Sequence, residues 1–228
     1  MVSRAGRLGP MTPEQTLAEC LRRDFPTPAL CDEFIDSAPV PVRVIDCVLS
    51  LNRPYDSVVL PRVTRFRERH PGARTLDDLA NLAAGYPTPA KFLHDELDMK
   101  DPKRAEVLLG VVNYLRAAQA RFAGATEEDR LRAWALDARP GDHLSTGVGG
   151  FALAGFQYLR LLLGAETAKP DVHIIRYVAR ALGRKVTDVE ALLVLEKAAA
   201  LNGVSARRYD RSMWQAGARP DDGSSASP

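Results

Sequence analysis

The chain has 228 residues, of which 46% are hydrophobic and 26% charged, with a formal net charge of +2. That length can bury a real core, as one domain or two joined lobes, and the composition is that of an ordinary globular protein. So mild a charge does not by itself announce nucleic-acid binding, and any such affinity must come from where the basic groups sit.

Residues 1–12 carry Gly, Pro and Arg without periodicity and are expected to form a flexible leader. The stretch MVSRAGRLGPM has no apolar signal core, and no apolar run approaches a membrane span, so the expectation is a cytoplasmic protein with no membrane partner. Thr12-Pro13-Glu14 predicts a helix start, with Thr as cap and Pro at the first helical position, and Leu17, Cys20 and Leu21 give it an apolar face. The cysteines Cys20, Cys31 and Cys47 are widely and irregularly spaced with no CxxC pair, which predicts buried small side chains rather than a zinc or iron–sulfur site.

A second helix is expected from Pro41, with Val44, Ile45, Val48 and Leu49 inside, ending by Asn52-Arg53-Pro54 because proline disfavours helix in the residue before it. Further helices are predicted over 58–70, 76–84, 89–97 and 102–123. The last places Ala105, Leu108, Leu109, Val112 and Leu115 inward, and Lys103, Arg104, Glu106, Asn113 and Arg116 largely outward. Thr126-Glu127-Glu128-Asp129 is an acidic first turn for a helix through Ala138, and Thr187-Asp188-Val189-Glu190 reads as a capping box for one through Leu201. Residues 215–228 are rich in Gly, Ser, Pro and Asp and are expected to be a disordered tail. No β alternation appears, so the fold class is all-α.

The most informative stretch is 147–180. Gly147 and Gly149 flank Val148 before an apolar helix over 151–163, and glycines let backbone turn tightly and approach a ligand. Free N–H groups at the following helix start would suit an anion. By itself the turn says only that two packed helices are joined tightly. Asp171 likewise reads by itself as an N-cap, and a polar stripe of His173, Arg176 and Arg180 follows at i, i+3 and i+7. The order and spacing of the two features together carry more than either one.

The text Leu144-Ser145-Thr146-Gly147-Val148-Gly149-Gly150-Phe151-Ala152, followed by Pro170-Asp171-Val172-His173-Ile174-Ile175-Arg176, resembles the helix-hairpin-helix DNA glycosylase superfamily, endonuclease III-like members included. Upstream, residues 41–56 and Lys103-Arg104-Ala105-Glu106 are similar to that family's early helix and middle helix, so the likeness spans roughly residues 14–214. The resemblance implies a bundle of two helical lobes with the active-site cleft between them, lobe one from about 13–37 plus 165–214 and lobe two about 38–164. It implies a DNA N-glycosylase of base-excision repair, with double-stranded DNA as partner, acting as a monomer and nucleoid-associated if bacterial. Asp171 would be the catalytic carboxylate. Gly147, Val148, Gly149, Gly150, His173, Arg176 and Asn52 would contact DNA, Asn52 standing where the family has a wedge glutamine. The carbonyls of His143, Ser145 and Val148 would hold a monovalent cation.

Departures from the pattern narrow the expectation. Phe151 stands where bifunctional members carry a lysine nucleophile, so the enzyme implied is monofunctional, without lyase activity. Lys169 is near Asp171 in sequence, but the loop is expected to aim it elsewhere. The family's C-terminal cysteine cluster is absent, so no iron–sulfur cluster is expected and no cofactor is required. The segment 138–143 shortens the first hairpin helix, which should begin at Asp142. Tyr55, Trp134, Tyr158 and Trp214 read either as base-stacking or as core aromatics. Two other functions stay open: a non-catalytic relative that binds distorted or modified DNA, and an all-α protein-interaction module.

Overall fold

A computed structural model describes residues 11–30 and 37–218. Residues 1–10 and 219–228, and Cys31, lie outside the described residues, so most of the expected leader and tail and one cysteine do too. Every regular element among the described residues is helical, in keeping with the all-α expectation. The chain divides into two compact units, one from the described residues of Met1–Leu30 and Pro170–Pro228, the other from those of Cys31–Lys169.

The larger unit is built around α2 (Val40–Leu49), whose ten residues are all buried. Around it lie α3 (Leu60–Arg69), α4 (Leu76–Ala84), α6 (Pro102–Gln119) and α8 (Leu153–Leu162), all of which pack on it. Helix α5 (Pro89–Leu97) packs on α6, and α7 (Glu127–Asp137) bridges α6 and α8. Val44, Ile45, Val48, Phe66, Leu79, Phe92, Leu108, Val112, Trp134, Phe156 and Leu159 form the middle of this core. Burying one such side chain stabilises the fold by about 1.5–3 kcal/mol.

Caps set most of the helix starts. Thr75 with Asp78 and Thr126 with Asp129 form reciprocal capping boxes, satisfying N–H groups that a helix start leaves open. Helix α3 starts differently from its expected form, because a π-helical turn over Tyr55–Val59 leads into it. Helix α6 ends at Gln119, short of the expected 123. Arg104 is a correction. It does not face outward but donates to the carbonyls of Val48 (2.6 Å), Leu49 (3.3 Å) and Leu51 (2.8 Å). One guanidinium thus closes the C-terminal end of α2, where unpaired carbonyls and the helix dipole favour a cation.

The smaller unit packs α1 (Pro13–Asp24) on α9 (Val172–Leu182) and α10 (Asp188–Leu201), with α11 (Ala206–Ala218) on α9 and α10. Leu17, Leu21, Ile174, Val178, Leu192, Leu195 and Tyr209 are buried within it. Thr12 and Gln15 make the expected box at α1. At α10 only half of the expected box forms: Thr187 accepts from the Glu190 N–H (3.1 Å), while the Glu190 carboxylate pairs with Arg184. Helix α11 runs to Ala218, so residues 215–218 are helical rather than part of a tail. Cys20 is partly exposed, unlike Cys47, which is fully buried.

Replacing Arg104 by Met should lower the unfolding free energy by about 1.5–3 kcal/mol, because it removes charge-assisted bonds to otherwise open carbonyls. Urea denaturation of the purified variant measures it; an unchanged midpoint would mean those carbonyls find other donors.

Candidate functional site

The hairpin lies in the larger unit. A short 3-10 helix, Pro140–Ser145, takes the place of the expected α-helical start at Asp142. Asp142 accepts from the Arg139 N–H (2.7 Å) and through its carbonyl from the Ser145 hydroxyl (2.8 Å). The Thr146 hydroxyl donates to the His143 carbonyl (2.9 Å), and the chain then turns through Gly147 at φ +67° and Gly150 at φ +84°. Both angles lie in the left-handed region, where a side chain would be strained, which is why glycine stands there. Gly147, Gly149 and Gly150 are exposed. Val148 instead anchors the turn on α6: a Cβ added to Gly110 would come 3.0 Å from its side chain.

Helix α8 begins at Leu153, two residues later than expected, with Ala152 at the cap position and no side chain bonded to its first N–H groups. Open N–H groups at an exposed glycine turn are what an anion-binding helix start requires. Phe151, before it, is buried; a Cβ on Gly155 would meet its ring and the Leu51 side chain at 2.9 Å. Two of the three expected cation ligands already accept hydrogen bonds. The His143 carbonyl already accepts from both the N–H (3.4 Å) and the hydroxyl of Thr146, and the Val148 carbonyl accepts from the Phe151 N–H (3.1 Å). Asn52 is exposed and adopts φ +54°, ending the turn after α2 in a conformation that Asn tolerates better than most residues.

Asp171 lies in the smaller unit as the cap of α9. Its Oδ1 accepts from the N–H groups of His173 (2.9 Å) and Ile174 (3.4 Å), and the backbone is extended. The carboxylate is thus held in one rotamer by the helix it starts. The polar stripe after it is not uniform. Arg176 and Arg180 are exposed, with the Arg180 guanidinium 5.2 Å from the Tyr177 ring centre, whereas His173 is half-buried against α11. A Cβ on Gly217 would lie 2.3 Å from His173 Nδ1, so the last turn of α11 covers that ring.

A cluster that sequence reading missed sits in the larger unit. Asp46, on α2, is completely buried, and its Oδ1 accepts from the Tyr158 hydroxyl (2.6 Å) and its Oδ2 from the Tyr55 hydroxyl (2.7 Å). The Ser50 hydroxyl is 3.4 Å from Oδ1 and donates more closely to the Asp46 carbonyl (2.7 Å). The Lys169 ammonium lies 4.4 Å from the Tyr158 ring centre. Burial pushes the Asp46 carboxyl above the usual aspartate range, against the opposing pull of the two tyrosine bonds and the Lys169 charge. Burial, and then the Asp46 charge, push the Tyr158 hydroxyl well up, so it remains a donor. The sole advance signal was an aspartate among Val44, Ile45, Cys47 and Val48 on a helix expected to be apolar. Of the aromatics that could have stacked on a base, Trp134 is core, edge-on to Tyr114 and Phe156. Trp214 lies 4.8 Å from the Arg211 guanidinium.

A second buried carboxylate behaves differently. Burial raises Glu96, but bonds from Tyr86 and His70 and the charge of Arg69 outweigh it and hold the group below the usual glutamate range. Glu96 meets the Arg69 guanidinium (3.1 Å) and the His70 ring (2.8 Å) as well as the Tyr86 hydroxyl, whereas the side-chain bonds to the Asp46 carboxylate all come from hydroxyls.

Among the described residues no cluster of His, Cys, Asp or Glu could hold a metal ion, and no helix is long and apolar enough to cross a membrane. A family described as a domain of unknown function, DUF8548, matches residues 146–218, under half of the chain. The matched span starts in the hairpin turn and includes Phe151 and Asp171, but not Asp46 or Asn52. No curated protein and no solved structure matches the chain.

Two stability measurements follow. Asp171→Asn should leave thermal stability nearly unchanged, since Asn caps as well as Asp, whereas Asp171→Ala should cost about 1 kcal/mol. A raised folded-state pKa means that folded Asp46 holds its proton more tightly than unfolded Asp46. Stability from this group is therefore fully present at low pH and declines as pH rises from the usual aspartate range through the raised value. Across a pH series, Asp46→Asn should gain on the wild type as pH rises; parallel curves would contradict the raised value.

Proposed function

We propose that the chain is a monofunctional DNA N-glycosylase of base-excision repair, hydrolysing the bond between deoxyribose and a damaged or mismatched base, with Asp171 as its carboxylate. The observation that carries the proposal is the coupling in one chain of two features. An exposed left-handed glycine turn opens an uncapped helix, and a carboxylate locked at the start of the next helix follows it.

The chemistry asks for those two parts. The target base must leave the duplex stack before its bond to the sugar can be reached, so the flanking backbone has to be gripped. The exposed glycines at 147, 149 and 150 and the uncapped start of α8 after them suit that grip, and Arg176 and Arg180 add exposed positive charge on α9. As the C1′–N bond breaks, the electron pair leaves with the base and positive charge builds on the sugar. A fixed carboxylate stabilises that charge and accepts a proton from the water that adds at C1′. That proton passes on to the departing base anion, restoring the carboxylate, so the products are the neutral free base and an abasic sugar. With Phe151 buried in the core, the position of the lysine nucleophile offers no amine, so strand cleavage is not part of the proposal.

A panel of duplexes, each with one damaged or mismatched base, should give abasic sites that alkali converts to strand breaks. Asp171→Asn should lower the single-turnover rate at least about 100-fold while duplex affinity stays within a few fold. Equal activity in that variant would overturn the role of Asp171. Tight, salt-sensitive binding with no abasic product across the panel would point to a non-catalytic protein that binds distorted or modified DNA.

A further inference from the structure

Asp46 is the one carboxylate among the described residues that is both wholly buried and ringed by hydroxyls. Its partners come from separate stretches of the chain. Tyr55 stands three residues after Asn52, at the start of the π-helical turn. Tyr158 is on α8, the helix that the glycine turn opens. Lys169, against the Tyr158 ring, is two residues before Asp171 in the sequence. Each partner thus borders an element that the proposed chemistry uses.

Packing does not require a charge at this place. Apolar groups of similar volume commonly stabilise an interior as well as or better than a buried ionisable group. Hydroxyl bonds to a carboxylate add direction: they fix the roll of each tyrosine and so of the backbone that carries it. The α2–α8 contact is already close, with the Cys47 thiol donating to the Gly155 carbonyl at 3.3 Å, so the Tyr158 hydroxyl bond acts across a seam with little slack.

We infer that Asp46 is a positioning residue for the proposed glycosylase, a clamp that holds the Asn52 turn and the hairpin helix in fixed register through the hydroxyls of Tyr55 and Tyr158. It touches neither DNA nor the reacting atoms. The inference rests on the proposed function for its consequence in catalysis, and on the hydrogen-bond geometry alone for the clamp.

The test therefore has two arms, both on the full-length chain. In hydrogen–deuterium exchange, Asp46→Asn and Tyr158→Phe should each speed exchange about fivefold or more in residues 50–56 and at the start of α8 together, with α5 unchanged. Unaltered exchange in either segment overturns the clamp. In single-turnover excision on the most rapidly processed duplex of the panel, each variant should lose about tenfold or more in rate. Duplex affinity should stay within a few fold, and the double variant should lose no more than the worse single one. A full excision rate beside altered exchange overturns the positioning role. Wild-type chain that excises nothing across the panel removes the glycosylase reading, and the clamp is then judged by exchange alone.

Discussion

Helix α2 is buried along its whole length, and two of its ten residues, Arg43 and Asp46, are charged. A charge in an interior is tolerable only with partners close at hand. The rest of the larger unit is arranged around that demand. Arg43 reaches the Leu162 carbonyl (3.2 Å) at the end of α8 and the Glu128 carboxylate in the first turn of α7. Asp46 draws in Tyr55 and Tyr158, and Arg104 of α6 closes the C-terminal end of the same helix. Apolar packing brings these helices together; the polar contacts choose one register among those that apolar packing would permit.

The same economy applies at the candidate site. Asp171 is held by the two N–H groups it caps, so the interaction that starts α9 also immobilises the carboxylate that the proposed chemistry uses. Phe151 and Gly155 show the reverse situation, because both are committed to seating α8 close against α2. A larger residue at Gly155 or a charged one at Phe151 would have to displace that contact, which confines the hairpin's functional surface to its exposed glycines and the backbone beside them.

Sequence alone determined what depends on near neighbours in the chain. The starts at Thr12, Thr126, Asp171 and Thr187 are legible because a cap involves residues two or three positions apart. Gly147 and Gly149 mark a turn because glycine bends the backbone without strain, although the positive φ angles fall at Gly147 and Gly150. The glycine turn and the aspartate after it are therefore legible in the sequence alone. Tertiary structure decided what depends on partners far along the chain. Arg104 looked like a surface residue because nothing within four positions says that the end of α2, more than fifty residues earlier, needs its charge. His173 looked like part of a basic stripe until Gly217 closed over it. The role of Asp46 is invisible in its neighbours because it lies in hydroxyls 9 and 112 residues away. Local hydrogen bonds are written in spacing, whereas the partners of a buried charge are set only when separate helices meet.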